Sequence, residues 1–200
     1  TVTQFMKNAM QADILRSAPP ARAIKLLALL LVFVGLLPTQ IAPWLALLLA
    51  LLLSGRFVFW KPQLAMRRLD IGIMYLGYLA IVAQLLLQSI EQLVTPGWLG
   101  SLSMHVFTFG AMGLIIPAML IRIANGHTGR KVIFDRLDKA LLWIMIAGFV
   151  IRIILPQFDP AGYLRWIGLA AACWFTCFAV LAWRYVPYLL QPRVDGKPNA

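Results

Sequence analysis

Residues 104–124 read MHVFTFGAMGLIIPAMLIRIA, with one imidazole near the start, one guanidinium near the end and no carboxylate between them. About 20 apolar residues in helical form cross the hydrocarbon core of a bilayer, so this stretch reads as a transmembrane helix. The pattern repeats outward from it. Apolar runs extend from Pro20 to Leu37, Pro43 to Trp60, Ile71 to Val94, Met104 to Ala124, Asp138 to Leu155 and Gly162 to Val186. Between them lie the breakers Pro38, Pro62, Pro96–Gly97, Asn125–Gly126, Pro156 and Pro160. The expected fold is all-α: a polytopic bundle of six transmembrane spans. An amphipathic arm (1–19) precedes the bundle (20–186), and a tail (187–200) follows it. The first run is short for a bilayer and reads either as a little-tilted span or as a re-entrant hairpin with the second.

The composition agrees. Of 200 residues, 62% are hydrophobic and 12% charged, and the mean hydropathy is +0.83. Soluble domains run at about 45–50% apolar and about 25% charged, so a soluble enzyme and a disordered chain are both excluded. No P-loop, GxGxxG turn, HExxH helix or nucleophile–base pair occurs, and no catalytic residue is assigned. Cys173 and Cys177 share a helical face inside an apolar run and read as small buried hydrophobes rather than a copper(I) site. The chain opens on Thr1 with no signal pattern, which suggests a trimmed chain or a fragment.

The net charge of +11 is explained by where the cations fall. Lys7, Arg16, Arg22 and Lys25 precede or open the first run. Arg56, Lys61, Arg67 and Arg68 follow the second, and Arg122, Arg130, Lys131, Arg136 and Lys139 surround the turn after the fourth. Arg184, Arg193 and Lys197 close the chain. In a six-span arrangement these sixteen share one face, and only Arg152 and Arg165 of the 18 fall on the other. The positive-inside rule then puts both termini in the cytoplasm. It also accounts for the cations without nucleic acid, which would need them gathered in one folded patch. Six tryptophans (Trp44, Trp60, Trp98, Trp143, Trp166 and Trp183) lie near span ends, as an interfacial belt does.

Polar side chains inside hydrocarbon are costly and turn toward the bundle interior. Gln84, Gln88 and Glu91 fall on one face of the third run, in the outer half of the membrane. His105 opens the fourth run at a similar depth, and an α-helical register puts Phe109, Met112, Ile116 and Met119 on its face, with Thr108 alongside. Gly110 and Gly113 on the other side permit close helix approach, and Pro117 should kink the helix. Two readings stand for His105: a neutral imidazole hydrogen-bonded to Gln88 or Glu91, or a metal ligand with one of those groups holding its second nitrogen. Three stand for Arg152 and Arg165: snorkelling, anion binding to carboxylates such as haem propionates, and a local pair of Arg165 with Asp159. His127 lies about 33 Å of helix from His105 at about 1.5 Å per residue, so the two cannot share one metal. It reads as a helix C-terminal cap or a ligand at a second, inner site.

The stretch His105-Val-Phe-Thr-Phe-Gly-Ala-Met-Gly through Arg122, the turn Gly126-His127-Thr128-Gly129-Arg130 and the ending Trp183-Arg184-Tyr185-Val186-Pro187 with Arg193-Val194-Asp195-Gly196-Lys197-Pro198 resemble the NnrS family. The resemblance implies a bacterial inner-membrane protein of twelve spans, of which this chain matches the C-terminal six. An N-terminal six-span half is then an expected partner. It also implies haem and copper as cofactors and a link to resistance against nitric oxide and nitrosative stress. His105 and His127 become candidate metal ligands. His105, Phe109, Met112, Gln88, Glu91, Arg152 and Arg165 become a candidate haem site in the outer half of the bilayer. Two other functions remain open: a transporter or channel lined by Gln84, Gln88 and Glu91, and a non-catalytic assembly factor or scaffold for a respiratory haem-copper enzyme.

Overall fold

Prolines and glycines set the helix ends. The computed structural model describes residues 18–33, 35, 38–94 and 100–196, which are all-helical with no strand. Helix α1 (Ala18–Val32) is followed by α2 (Ala42–Phe59), which carries Pro43 in its first turn, where the missing amide costs nothing. Lys61, in the left-handed region at φ 50°, turns the chain into the short α3 (Pro62–Ala65). Then come α4 (Leu69–Val94), α5 (Leu102–His127), α6 (Arg136–Phe158) and α7 (Tyr163–Leu189). The N-terminal arm up to residue 17, Pro96–Gly97, Trp98 and Lys197 lie outside the described residues.

Among the described residues five helices are long and apolar enough to cross a membrane: α2, α4, α5, α6 and α7. The expected first span is shorter than its apolar run, because α1 stops at Val32. Its 15 residues reach about 22 Å, short of the roughly 30 Å hydrocarbon core. Pro156 and Pro187, expected at breaks or beyond a helix, instead lie inside α6 and α7. Helix α7 therefore runs past the expected bundle boundary at residue 186.

Each helix packs on its neighbour in the order α1, α2, α4, α5, and α5 in turn packs on both α6 and α7. The main core joins Ile73 of α4, Leu114 and Ile121 of α5, Leu141, Leu142 and Met145 of α6, and Cys177 and Leu181 of α7. A smaller core joins α1, α2 and α4 through Ile24, Leu49, Leu53 and Val82. Small residues set the closest approaches. A β-carbon on Gly110 would lie 2.7 Å from both Ala80 and Phe149, and one on Gly148 would lie 2.8 Å from Cys173. Gly113 is looser, its nearest neighbour 3.4 Å away. Cys173 and Cys177 are free thiols in this packing.

Helix α5 is not α-helical throughout. Residues Val106–Met112, directly after His105, form a π-helical stretch. The Thr108 hydroxyl donates back to the Met104 carbonyl at 3.0 Å, which competes with the backbone ladder and loosens the turn. Pro117, buried one turn beyond the stretch, supplies no amide to the carbonyl four residues back.

Candidate functional site

The two ends of the bundle differ in chemistry. One end gathers ion pairs. Arg122 of α5 donates to the Asp70 carboxylate and carbonyl of α4 at 3.0 and 3.1 Å, and Arg68 joins the same carboxylate. Asp135 caps α6 in a reciprocal box with Asp138. Arg184 of α7 reaches both aspartates, and the Tyr185 hydroxyl donates to the fully buried Asp138 at 2.9 Å. Hydrogen bonding from Arg184 holds the Asp135 carboxyl below the usual range.

The turn after α5 belongs to this end. The Thr128 hydroxyl donates to the Ala124 carbonyl at 2.7 Å, closing the helix. Gly129 adopts φ 74°, and a β-carbon there would lie 2.7 Å from the Asp195 carboxyl. The Val194 amide donates to the Thr128 carbonyl at 3.1 Å, and Arg193 pairs with Asp195. The Arg130 guanidinium stacks 4.0 Å over the Tyr188 ring. His127 is exposed in the last turn of α5.

The opposite end holds His105. Its Nδ1 lies 2.7 Å from the Ser101 carbonyl, which can only accept, so Nδ1 carries the proton. Its Nε2 lies 2.8 Å from Nη2 of Arg152 on α6, and guanidinium can only donate, so Nε2 presents its lone pair. The ring is thus a neutral imidazole of defined tautomer, aimed at α6. Arg152 is 9% exposed, and its guanidinium also lies 5.6 Å from the Tyr163 ring. It lines an open cleft of about 250 Å³ with Phe109, Ile167, Ala170, Ala171 and Trp174.

The partner expected for His105 is therefore not the one it has. Gln84 donates to Gln88 at 2.9 Å, and Glu91 accepts from Ser103 at 3.2 Å. Gln88 and Glu91 both lie on α4, and these hydrogen bonds turn them elsewhere than to the imidazole. Phe109 lines the cleft with Arg152, whereas Met112 is 46% exposed on the bundle surface. The wide π turn between His105 and Met112 breaks the α-helical spacing that aligned them. Arg165, 66% exposed, donates to Asp159 at 3.0 Å, and Trp166 and the Gly162 amide share that carboxylate. Sequence reasoning missed Trp174, Ala170 and Ala171. One signal was present: Trp174 is the tryptophan farthest from either end of its span.

The family model described as NnrS protein matches residues 1–193. The chain belongs to the NnrS family. Neither a curated protein nor a solved structure matches it. The NnrS motifs now have positions: the Gly126–Arg130 turn and the Arg193–Gly196 tail bind each other at one end, and His105 lies at the other.

The NnrS association with haem can be tested against the donor set. Among the described residues no three His, Cys, Asp or Glu side chains gather to hold a bare metal ion. A metal at His105 would draw its remaining ligands from outside the described residues or bring them with it, as a porphyrin iron does. The rest fits such a group: a backbone-anchored imidazole with Nε2 forward, an aromatic and small-residue cleft beside it, and a guanidinium suited to carboxylates. Copper at His127 would need ligands from outside the described residues.

Proposed function

We propose that this chain is a haem-binding protein of the bacterial inner membrane that contributes to nitric oxide tolerance. In this reading it has six spans and cytoplasmic termini, and α1 with its flanking residues completes the even count. The ion-paired end, rich in Lys and Arg, faces the cytoplasm, and His105 lies in the outer half of the bilayer.

One observation carries the proposal: the Ser101 carbonyl fixes the His105 tautomer, so that Nε2 presents its lone pair to Arg152, a residue that lines the cleft. Metal-binding histidines are commonly anchored this way, because the bond to the distal nitrogen orients the ring and raises its basicity. His105 would ligate the iron, and Phe109 and Trp174 would pack its macrocycle. Arg152 would take a propionate. A bound haem supplies an iron position at which nitric oxide can bind. The π-helical stretch after His105 supports the same assignment, since such stretches concentrate at functional sites.

The test is the absorption spectrum of the protein purified in detergent. A Soret band that shifts with nitric oxide and is lost in His105→Ala is expected. A colourless, metal-free preparation would sink the proposal and favour a transporter lined by Gln84, Gln88 and Glu91, or an assembly scaffold.

A further inference from the structure

Arg152 differs from the other buried arginine contacts of the bundle. Arg122 has Asp70, and Arg184 has Asp135 and Asp138. Arg152, more deeply buried than either, has no carboxylate within ion-pair reach among the described residues. Its hydrogen-bond partner is a neutral imidazole. A buried cation without a counter-ion is costly, and this one lines an open cleft. The same contact occupies the lone pair that makes His105 a ligand. A single lone pair cannot accept a hydrogen bond and bind a metal together.

We propose that the His105–Arg152 bond is a mask over the imidazole, lifted only by a ligand that carries both a carboxylate and a metal with an open position. This deepens the haem reading above and rests on it. The carboxylate takes the guanidinium in a two-pronged bond stronger than the one to imidazole. The freed Nε2 donates its lone pair to the metal. Arg152 stays cationic and His105 stays neutral throughout, so no proton changes hands. Neither half of the ligand suffices. A bare metal ion would displace the guanidinium with nothing to receive it and would sit beside a positive charge. A metal-free carboxylate would leave the imidazole without its donor. The pair thus selects a metalloporphyrin acid over free metal ions and over esterified porphyrins.

The experiment is a Soret titration of the full chain in phosphatidylcholine vesicles with iron protoporphyrin IX and with its dimethyl ester. The ester has the same iron and ring but no carboxylate. Wild type is expected to bind the acid about 10- to 100-fold more tightly, the range for one charge-assisted bond. In Arg152→Gln the acid and ester should bind within about threefold of each other. Arg152→Lys keeps the charge and should retain a preference for the acid. It serves as the check should the glutamine variant fold poorly. His105-dependent binding of both porphyrins with equal affinity in wild type would overturn the mask and leave the haem reading intact. An acid preference that persists unchanged in Arg152→Gln would also overturn it. Binding of neither porphyrin to any of these proteins would overturn both.

Discussion

The Val194 amide donates to the Thr128 carbonyl at 3.1 Å, and that bond joins two motifs 66 positions apart in the chain. The Gly-His-Thr-Gly-Arg turn and the Arg-Val-Asp-Gly tail are one structural unit. Gly129 explains why the turn needs its second glycine: its φ is 74°, and Asp195 leaves no room for a β-carbon. We expect Gly129→Ala to destabilise the protein by about 1–3 kcal/mol through backbone strain and the clash. Gly126→Ala, in a helical turn with open space around it, should be neutral or stabilising by up to about 1 kcal/mol. Denaturant unfolding in detergent micelles compares them. Equal effects would disprove the docked tail.

Gly110 is closed in by two helices at once. Ala80 and Phe149 both lie 2.7 Å from where its β-carbon would be. Gly110→Ala should cost about 1–3 kcal/mol by forcing α4 and α6 from α5. Gly168→Ala, on the open surface of α7, should cost nothing. The two thermal midpoints give the answer.

Asp70 is the acceptor through which the start of α4 holds the end of α5. Removing one partner of a buried pair strands the other charge. Asp70→Asn is expected to destabilise by about 3 kcal/mol, read as a lower resistance to thermal aggregation.

Asp135 makes one part of the acid sensitivity specific. Arg184 lowers its folded-state pKa below that of the unfolded chain. Its contribution is therefore complete above the ordinary carboxylate pKa of about 4 and disappears as pH falls through the folded value. Asparagine still caps α6 but cannot titrate. Asp135→Asn should be less stable than wild type at neutral pH, and the gap should close below about pH 4. A pH series of melting curves checks this.

Membrane sidedness follows from single cysteines in the loops, placed in a background with Cys173 and Cys177 replaced. Ile133→Cys, before α6, should react from the cytoplasmic side, and Ala161→Cys, after it, from the opposite side. Labelling of both from one face with a membrane-impermeant maleimide would contradict the six-span orientation.

Element positions were legible because hydropathy alone decides what leaves water. The runs opening at Pro43, Ile71 and Met104 begin within about two residues of α2, α4 and α5. His105 and Arg152 were singled out for the same reason: each is a polar group that hydrocarbon penalises. Which of them touch was not legible. The Gln84–Gln88–Glu91 stripe has a definite face on α4, yet nothing in one helix's periodicity states its rotation against the next. Gln84 and Gln88 satisfy each other along their own helix, and Ser103 takes Glu91. Met112 was aligned with His105 by counting α-helical steps across a segment that does not take them. The end of α1 was missed because the chain stays free of charged and polar side chains from Val32 to Leu37, so hydropathy marks no boundary there.

The π-helical stretch of α5 has a geometric corollary. Each i→i+5 closure encloses one residue more than the α-helical i→i+4. Were Val106–Met112 to relax to 3.6 residues per turn with all seven residues kept, everything before it would swing by about 100°. The imidazole would then sweep out of reach of α6 while every neighbouring side chain kept its identity. Spacing in this heptapeptide is as much a determinant of the site as the histidine itself.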